Sequence, residues 1–272
     1  MGSLDYINSK FMPKNYKNKR EVNKEYVDLV RSVLLNYGFP TDNLDKNVED
    51  LEVTLSTDKN TVGQYMKDFN KLVYTDKSSY IHELFHVSSS NRDKNDKNSS
   101  TGIRVVREGY RDKYTMIGLD EGITDYLTVL SGNEPNGYGL SRLCAELLVE
   151  TNGIQILKPY FENDGKKFFK QFGTNFMQNF RQIIVLLDNY YYSLDELTNF
   201  RGSMFSEKYF AILDSIEKNL LSLIATMSNY FTNENFDAKK YISEKINAGY
   251  LNRELSILGV ESINELYPKG LK

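Results

Sequence analysis

Residues 82 to 86 read His82-Glu83-Leu84-Phe85-His86, and they hold both histidines of the 272-residue chain. Four positions apart on a helix, two side chains share one face, so both imidazoles can reach a single metal ion. Glu83 follows the first histidine on an adjoining face, where its carboxylate can touch a water on that metal without binding the metal itself. Asp76, Ser78 or Ser79 can cap a helix that begins just ahead of the pair. Its apolar residues Ile81, Leu84, Phe85 and Val87 cover more than one face, the pattern of a helix buried within the fold.

Upstream, Glu21 to Tyr37 carries a helical stripe of Val22, Tyr26, Leu29, Val30, Val33 and Leu34, closed by Gly38 and Pro40. Leu51 to Leu55 alternates as a strand. Gly63 to Tyr74 predicts two short strands around Lys67-Asp68-Phe69-Asn70, the second being Leu72-Val73-Tyr74. Downstream, the polar run Ser88 to Ser100 ends the histidine helix, and Ser90 to Ser99 reads as a mobile surface loop. Gly102 to Gly118 alternates around Glu108-Gly109, which predicts a hairpin with strands near 103–106 and 113–117. Leu119 to Leu130 then reads as a helix. Beyond Pro135 the pattern is helical over about 139–151, 154–161, 166–172, 175–191, 207–230 and 238–247. The expected fold class is α+β. A small mixed α/β lobe (residues 1–101) carries the histidine helix, and a mainly helical lobe (residues 102–272) follows.

Hydrophobic residues at 40% and charged residues at 26% describe a globular chain long enough to bury a sizeable core. A net charge of −3 offers no basic footprint, so no nucleic-acid partner is expected. The basic stretches Lys14 to Arg20 and Arg92 to Lys97 read as solvated surface. Twenty tyrosines and no tryptophan suit a polar groove for peptide, and equally the rim of an ordinary core. Cys144 is the only cysteine, which excludes an internal disulfide and a cysteine-based metal site. No apolar run is long enough to span a bilayer. Met1 to Lys14 lacks the apolar region of a signal peptide, which suits the cytoplasm, with secretion open if a leader has been removed ahead of Gly2-Ser3. Nothing in the sequence specifies an oligomeric state.

Two histidines do not complete a catalytic zinc site, which uses three protein ligands and an open position. No histidine remains, and Cys144 sits among the apolar neighbours Leu143 and Leu147, so the third ligand should be a carboxylate. Leu119-Asp120-Glu121-Gly122-Ile123-Thr124-Asp125-Tyr126-Leu127 offers one. Glu121 and Asp125 share a helix face by their spacing. A metal-bound imidazole gives its other N–H to a carboxylate or carbonyl, so an acid such as Asp125 has a ready role behind a ligand.

His82-Glu83-x-x-His86 followed by Asp120-Glu121-Gly122-Ile123-Thr124-Asp125 resembles the gluzincin metallopeptidases, whose motif pair is H-E-x-x-H and a later E-x-x-x-D. The resemblance covers roughly residues 63–130 and implies a zincin-like two-lobed fold. It implies zinc as cofactor, with His82, His86 and Glu121 as ligands and a peptide or protein as substrate. It implies Glu83 as the general base that takes a proton from zinc-activated water and passes it to the departing amine. Asp125 would orient a ligand histidine, namely His82, and Asp120, where thermolysin-like enzymes have Asn, would hold the other.

The chain departs from the thermolysin-like pattern in two ways. Thirty-four residues separate His86 from Glu121, a longer spacing. No third histidine is left to stabilise the oxyanion, so a tyrosine or arginine must do it. Gluzincins similar to lethal factor and to Pro-Pro endopeptidases place a tyrosine shortly before the ligand glutamate. Tyr114 sits there and is preferred, with Tyr110, Tyr138 and Tyr190-Tyr191-Tyr192 as alternatives. The extended substrate is expected to pair with an exposed edge strand, for which Leu72-Val73-Tyr74 is the candidate. No G-x-M-E-N-like segment of the related aminopeptidases precedes the zinc motif, which tilts the expectation toward an endopeptidase. The alternative is an inactive binding protein that keeps the peptidase fold. Such a protein normally loses its general base or a ligand, and here the set is whole.

Overall fold

A computed structural model describes residues 19–57, 63–92, 102, 116–172 and 174–266 of the chain. In the N-terminal part, β1 (Lys19–Arg20) leads into α1 (Lys24–Asn36), then α2 (Asp42–Val48) and β2 (Glu52–Leu55). There follow β3 (Gln64–Met66), β4 (Lys71–Tyr74) and α3 (Lys77–Ser88), the histidine helix. The strands form one mixed sheet in the order β1-β2-β4-β3. β2 runs parallel to β4, with Val53 opposite Leu72 and Thr54 opposite Val73, and β3 runs antiparallel to β4.

The two short strands expected between Gly63 and Tyr74 are therefore present. Their turn is a single 3-10 turn, Lys67–Phe69, closed by Asn70 at φ 47°. Asn tolerates that left-handed conformation better than most residues, and the Asn70 amide donates to the Asn47 carbonyl at 2.7 Å. One expectation is corrected here. Leu72-Val73-Tyr74 is not an edge, because β4 is paired on both sides, by β2 and by β3. Among the described residues β3 is the edge next to it.

α1 buries Val30, Val33 and Leu34 of the expected stripe together with Val27, which was not part of it, while Tyr26 and Leu29 are half-buried. α2 was not expected: Asp-Asn-Leu-Asp-Lys-Asn-Val buries only Leu44 and Asn47, too little to show a period. Lys19 and Arg20 have exposed side chains, as a solvated run should, yet their backbone forms a strand with β2. Arg92 departs from the solvated reading. Its guanidinium is only 17% exposed and pairs with Asp50 at 2.8 Å.

The remaining elements are helical. α4 (Ile117–Leu130), α5 (Gly139–Asn152), a 3-10 turn with α6 (Lys158–Phe161), and α7 (Gly165–Lys170) precede two 25-residue helices. These are α8 (Thr174–Thr198) and α9 (Glu207–Phe231), which pack on each other. On α9 Ile212, Ile216, Leu220, Leu223, Ile224, Met227 and Phe231 are buried at three- and four-residue intervals, the stripe a core-facing helix needs. α10 (Ala238–Asn247) and α11 (Asn252–Leu258) complete the described α-helices, and a 3-10 turn, Ile263–Glu265, follows them. α8 runs seven residues past the expected end at Tyr191, and α11, with only Glu254 and Leu255 buried, was too short to read.

The chain divides into two compact units. One contains the sheet, α1 to α3 and the segments 127–136 and 160–163; the other contains α4 as far as Tyr126, residues 137–159 and everything from Asp164 onward. In the second unit Glu254 is buried and its Oε1 accepts a hydrogen bond from the Tyr190 hydroxyl at 2.9 Å. Burial raises the Glu254 carboxyl above its ordinary value despite that bond. The folded chain then keeps a proton that the unfolded chain releases, so stability is greatest below the usual carboxylate range and falls as pH rises through the raised value. Glu254→Gln should flatten that slope in denaturant titrations taken across mildly acidic to neutral pH; an unchanged slope would reject this assignment.

Candidate metal centre

α3 is fixed at both ends before its chemistry is considered. Asp76, of the three expected caps, is the N-cap: its carboxylate accepts from the Ser79 amide at 2.8 Å, while Ser79 Oγ accepts from the Asp76 amide at 3.0 Å. This reciprocal pair satisfies two otherwise unpartnered N–H groups. At the other end Ser88 Oγ donates to Phe85 O at 2.7 Å and Ser90 Oγ to His86 O at 2.7 Å. The Asn47 amide adds bonds to Val87 O and Ser90 O at 2.9 and 2.8 Å. Ser88, Ser89 and Ser90 are fully buried, so Ser90 does not begin a surface loop; serine hydroxyls bonded back to the last turn close the helix instead. Residues 93–100 of the expected loop lie outside the described residues.

Every residue from Ser79 to Ser88 on α3 is buried, in keeping with apolar residues on more than one of its faces. α1, α2, β3 and β4 pack around it. Tyr80 fills one side, with Tyr74 and Tyr26 edge-on at 4.7 and 5.3 Å, and its hydroxyl accepts from the Asn23 amide. The two imidazoles stand 5.1 Å apart at 72°.

Burying polar groups costs free energy unless they are partnered or bind a metal. His82, Glu83 and His86 are 2%, 5% and 6% exposed, and Glu121 on α4 is 7% exposed. One ligand atom each from His82, His86 and Glu121 lies within 4.8 Å of the others. Ligand atoms on a tetrahedral zinc ion stand roughly 3.3 Å apart at bond lengths of about 2.0–2.1 Å, so the three lie near ligating separation. Two imidazole nitrogens and one carboxylate oxygen are also the donors of hydrolytic zinc sites. The residues fit the ion.

α4 is positioned by residues that sequence reading missed. Its first turn is reached through Met116 at φ 83°, and Asp188 of α8 supplies the cap from seventy residues away. Asp188 accepts from the Met116 amide at 2.7 Å and from the Gly118 amide at 3.0 Å. A Cβ on Gly118 would stand 2.8 Å from the Leu187 carbonyl, and one on Gly122 would collide with the carbonyl of Ser141. Glycine inside a helical pattern was the available signal for such close packing. Gly122→Ala should therefore force α4 away from α5, costing about 1–3 kcal/mol in chemical denaturation. A stability equal to wild type would show that the contact relaxes freely.

Asp125 and Asp120 are both fully buried on α4. Asp125 Oδ2 accepts from Arg142 Nη1 at 3.3 Å, an arginine that sequence reading also passed over. Tyr114 and Tyr110 lie outside the described residues, as does residue 103–115 of the expected hairpin; Ile117, placed in its second strand, is helical. Of the other tyrosines, Tyr190 is committed to Glu254, and Tyr138 stacks on Tyr191 with centroids 6.4 Å apart.

Among the described residues no helix is long and apolar enough to cross a membrane. Comparison with protein-family models, with curated proteins and with solved structures finds no match to this chain. The chemistry of the site itself therefore carries its interpretation.

Proposed function

We propose that this chain is a zinc-dependent peptidase of the gluzincin type, cleaving within peptide chains. The observation that carries this reading is the buried triad of His82, His86 and Glu121 with Glu83 on the same helix as the two histidines. A zinc ion held by such a triad supplies Lewis acidity, which makes water a competent nucleophile near neutral pH and polarises a carbonyl.

The chain's own residues do the rest. Glu83 accepts a proton at its carboxylate from the attacking water and returns it to the departing amine nitrogen. Asp125 orients the His82 ring, Asp120 the His86 ring, and the Tyr114 hydroxyl donates to the carbonyl oxygen as negative charge develops there. Substrate in extended form pairs with β3, the strand that has β4 as its sole partner among the described strands. Gly63, which precedes β3, approaches Glu83 closely: a Cβ there would stand 2.9 Å from Glu83 Oε1. Gly63→Ala should therefore displace the carboxylate and lower kcat roughly tenfold with zinc content unchanged. Wild-type kcat in that variant would remove Gly63 from the account.

The test of function is digestion of a diverse peptide library by the zinc-loaded protein, read by mass spectrometry, with Glu83→Gln beside it. Cleavage by wild type alone supports the peptidase and reports its subsite preferences. A protein that binds zinc and peptides but cleaves none would favour a binding role, and one that takes up no zinc would end the proposal.

A further inference from the structure

Behind Asp125 lies a buried ionic chain that the proposed catalytic set does not use. Arg142, on α5, donates to Asp125 Oδ2 with one guanidinium nitrogen, while its Nε stands 3.7 Å from Glu146 Oε1. The guanidinium also lies over the Tyr250 ring, 4.2 Å from its centre. Glu146 is in turn held by three donors: the Tyr250 hydroxyl at 2.7 Å, the Tyr241 hydroxyl at 3.1 Å and Lys245 Nζ at 2.9 Å. Arg142, Asp125 and Glu146 have side chains no more than 7% exposed.

We infer that Arg142 is a positioning residue for the metal centre, fixing Asp125 so that Asp125 can hold a ligand imidazole. This rests on the zinc-site reading above and extends it. Asp125 follows Glu121 by one helical turn, so its carboxylate must be held at a defined rotamer to serve a ring reached from elsewhere. A planar guanidinium can bond a carboxylate, face a second one and stack on an aromatic ring at once, which pins it from three sides. Lysine, with one compact ammonium, cannot meet those demands together. The far end of the chain is equally set. Gly139, one turn before Arg142, has no room for a Cβ because the Tyr250 carbonyl occupies that place. α5 is thus seated directly on the segment that supplies the stacking ring.

The test measures zinc affinity by competition with a chromophoric chelator, on the full chain, together with the melting temperature of the metal-free protein. Asp125→Asn should weaken zinc binding by about 10- to 100-fold. Arg142→Lys should weaken it roughly tenfold, and the double variant should be little weaker than Asp125→Asn alone, because both act through one carboxylate. Ile216→Ala, in the fully buried stripe of α9, is the structural control: it should lower the melting temperature and leave zinc affinity within twofold. Should Arg142→Lys fail to fold, Tyr250→Leu carries the test, with an expected loss of about two- to fivefold.

Wild-type zinc affinity in Arg142→Lys or its substitute, with Asp125→Asn impaired, overturns the inference and leaves the zinc site standing. Additive losses in the double variant overturn it as well. If Asp125→Asn also binds normally, the role of Asp125 falls with it. Failure of the wild type to bind zinc is a separate result, and it rejects the proposed function instead.

Discussion

Replacing Glu83 with glutamine is expected to lower turnover by about 10³-fold or more while zinc content stays at that of the wild type. General acid–base catalysis by a positioned side chain contributes about 10²–10⁴-fold. In the proposed mechanism one carboxylate serves twice, as acceptor from water and as donor to the leaving amine. Glutamine has the same shape and can still hydrogen-bond, so the buried site on α3 keeps its packing and loses only the capacity to move a proton. The measurement is kcat on the best peptide from the library, beside zinc content by atomic emission. Turnover within tenfold of wild type would remove Glu83 as the base. Loss of zinc from the variant would show that Glu83 supports the metal site directly.

Glu121→Gln is expected to produce the complementary failure, a loss of zinc affinity larger than the 10- to 100-fold typical of residues behind the ligands. The amide oxygen is a neutral and weaker donor, and the site loses the one anionic ligand of its triad. Because Glu121 is almost fully buried, a glutamine fills the same space, and the metal-free protein should melt near the wild-type temperature. Chelator competition checks the affinity and thermal melting checks the fold. Affinity within twofold of wild type would mean that the third ligand lies elsewhere in the chain.

The sequence disclosed elements where one physical pattern dominated. The histidine helix was legible because its apolar residues cover more than one face and capping residues precede it, and the structure buries it from Ser79 to Ser88. Glu121 was reachable because the chain contains no spare histidine and no usable cysteine, which left a carboxylate as the chemistry required. What stayed hidden depends on contacts distant in sequence. Asp188 looks like any polar residue on a helix until it is found capping α4 seventy positions back. Arg142 lies in a helix whose residues from Gly139 to Leu148 are all buried, a fact its mixed composition conceals. β4 read as an edge because it lies just ahead of the histidine helix; its parallel partner β2 lies well upstream, and pairing register is not written locally. α2 and α11 were invisible for want of length, each being seven residues.

The depth of the triad bears on how quickly a bound ion would come and go. His82, His86 and Glu121 are each less than a tenth exposed, and α3 is tied down by a capping box at one end and back-bonded serines at the other. A catalytic ion keeps one position open to water and substrate, but a chelator must also displace the protein's own donors. Freeing buried donors takes a local opening that has a free energy and a rate of its own. Removal of zinc should therefore proceed at a rate that stops rising with chelator concentration once opening is limiting. Two variants with the same affinity could then differ widely in how long they hold the metal, and Gly122 or Asp188, which seat α4, would control that lifetime without touching the ion.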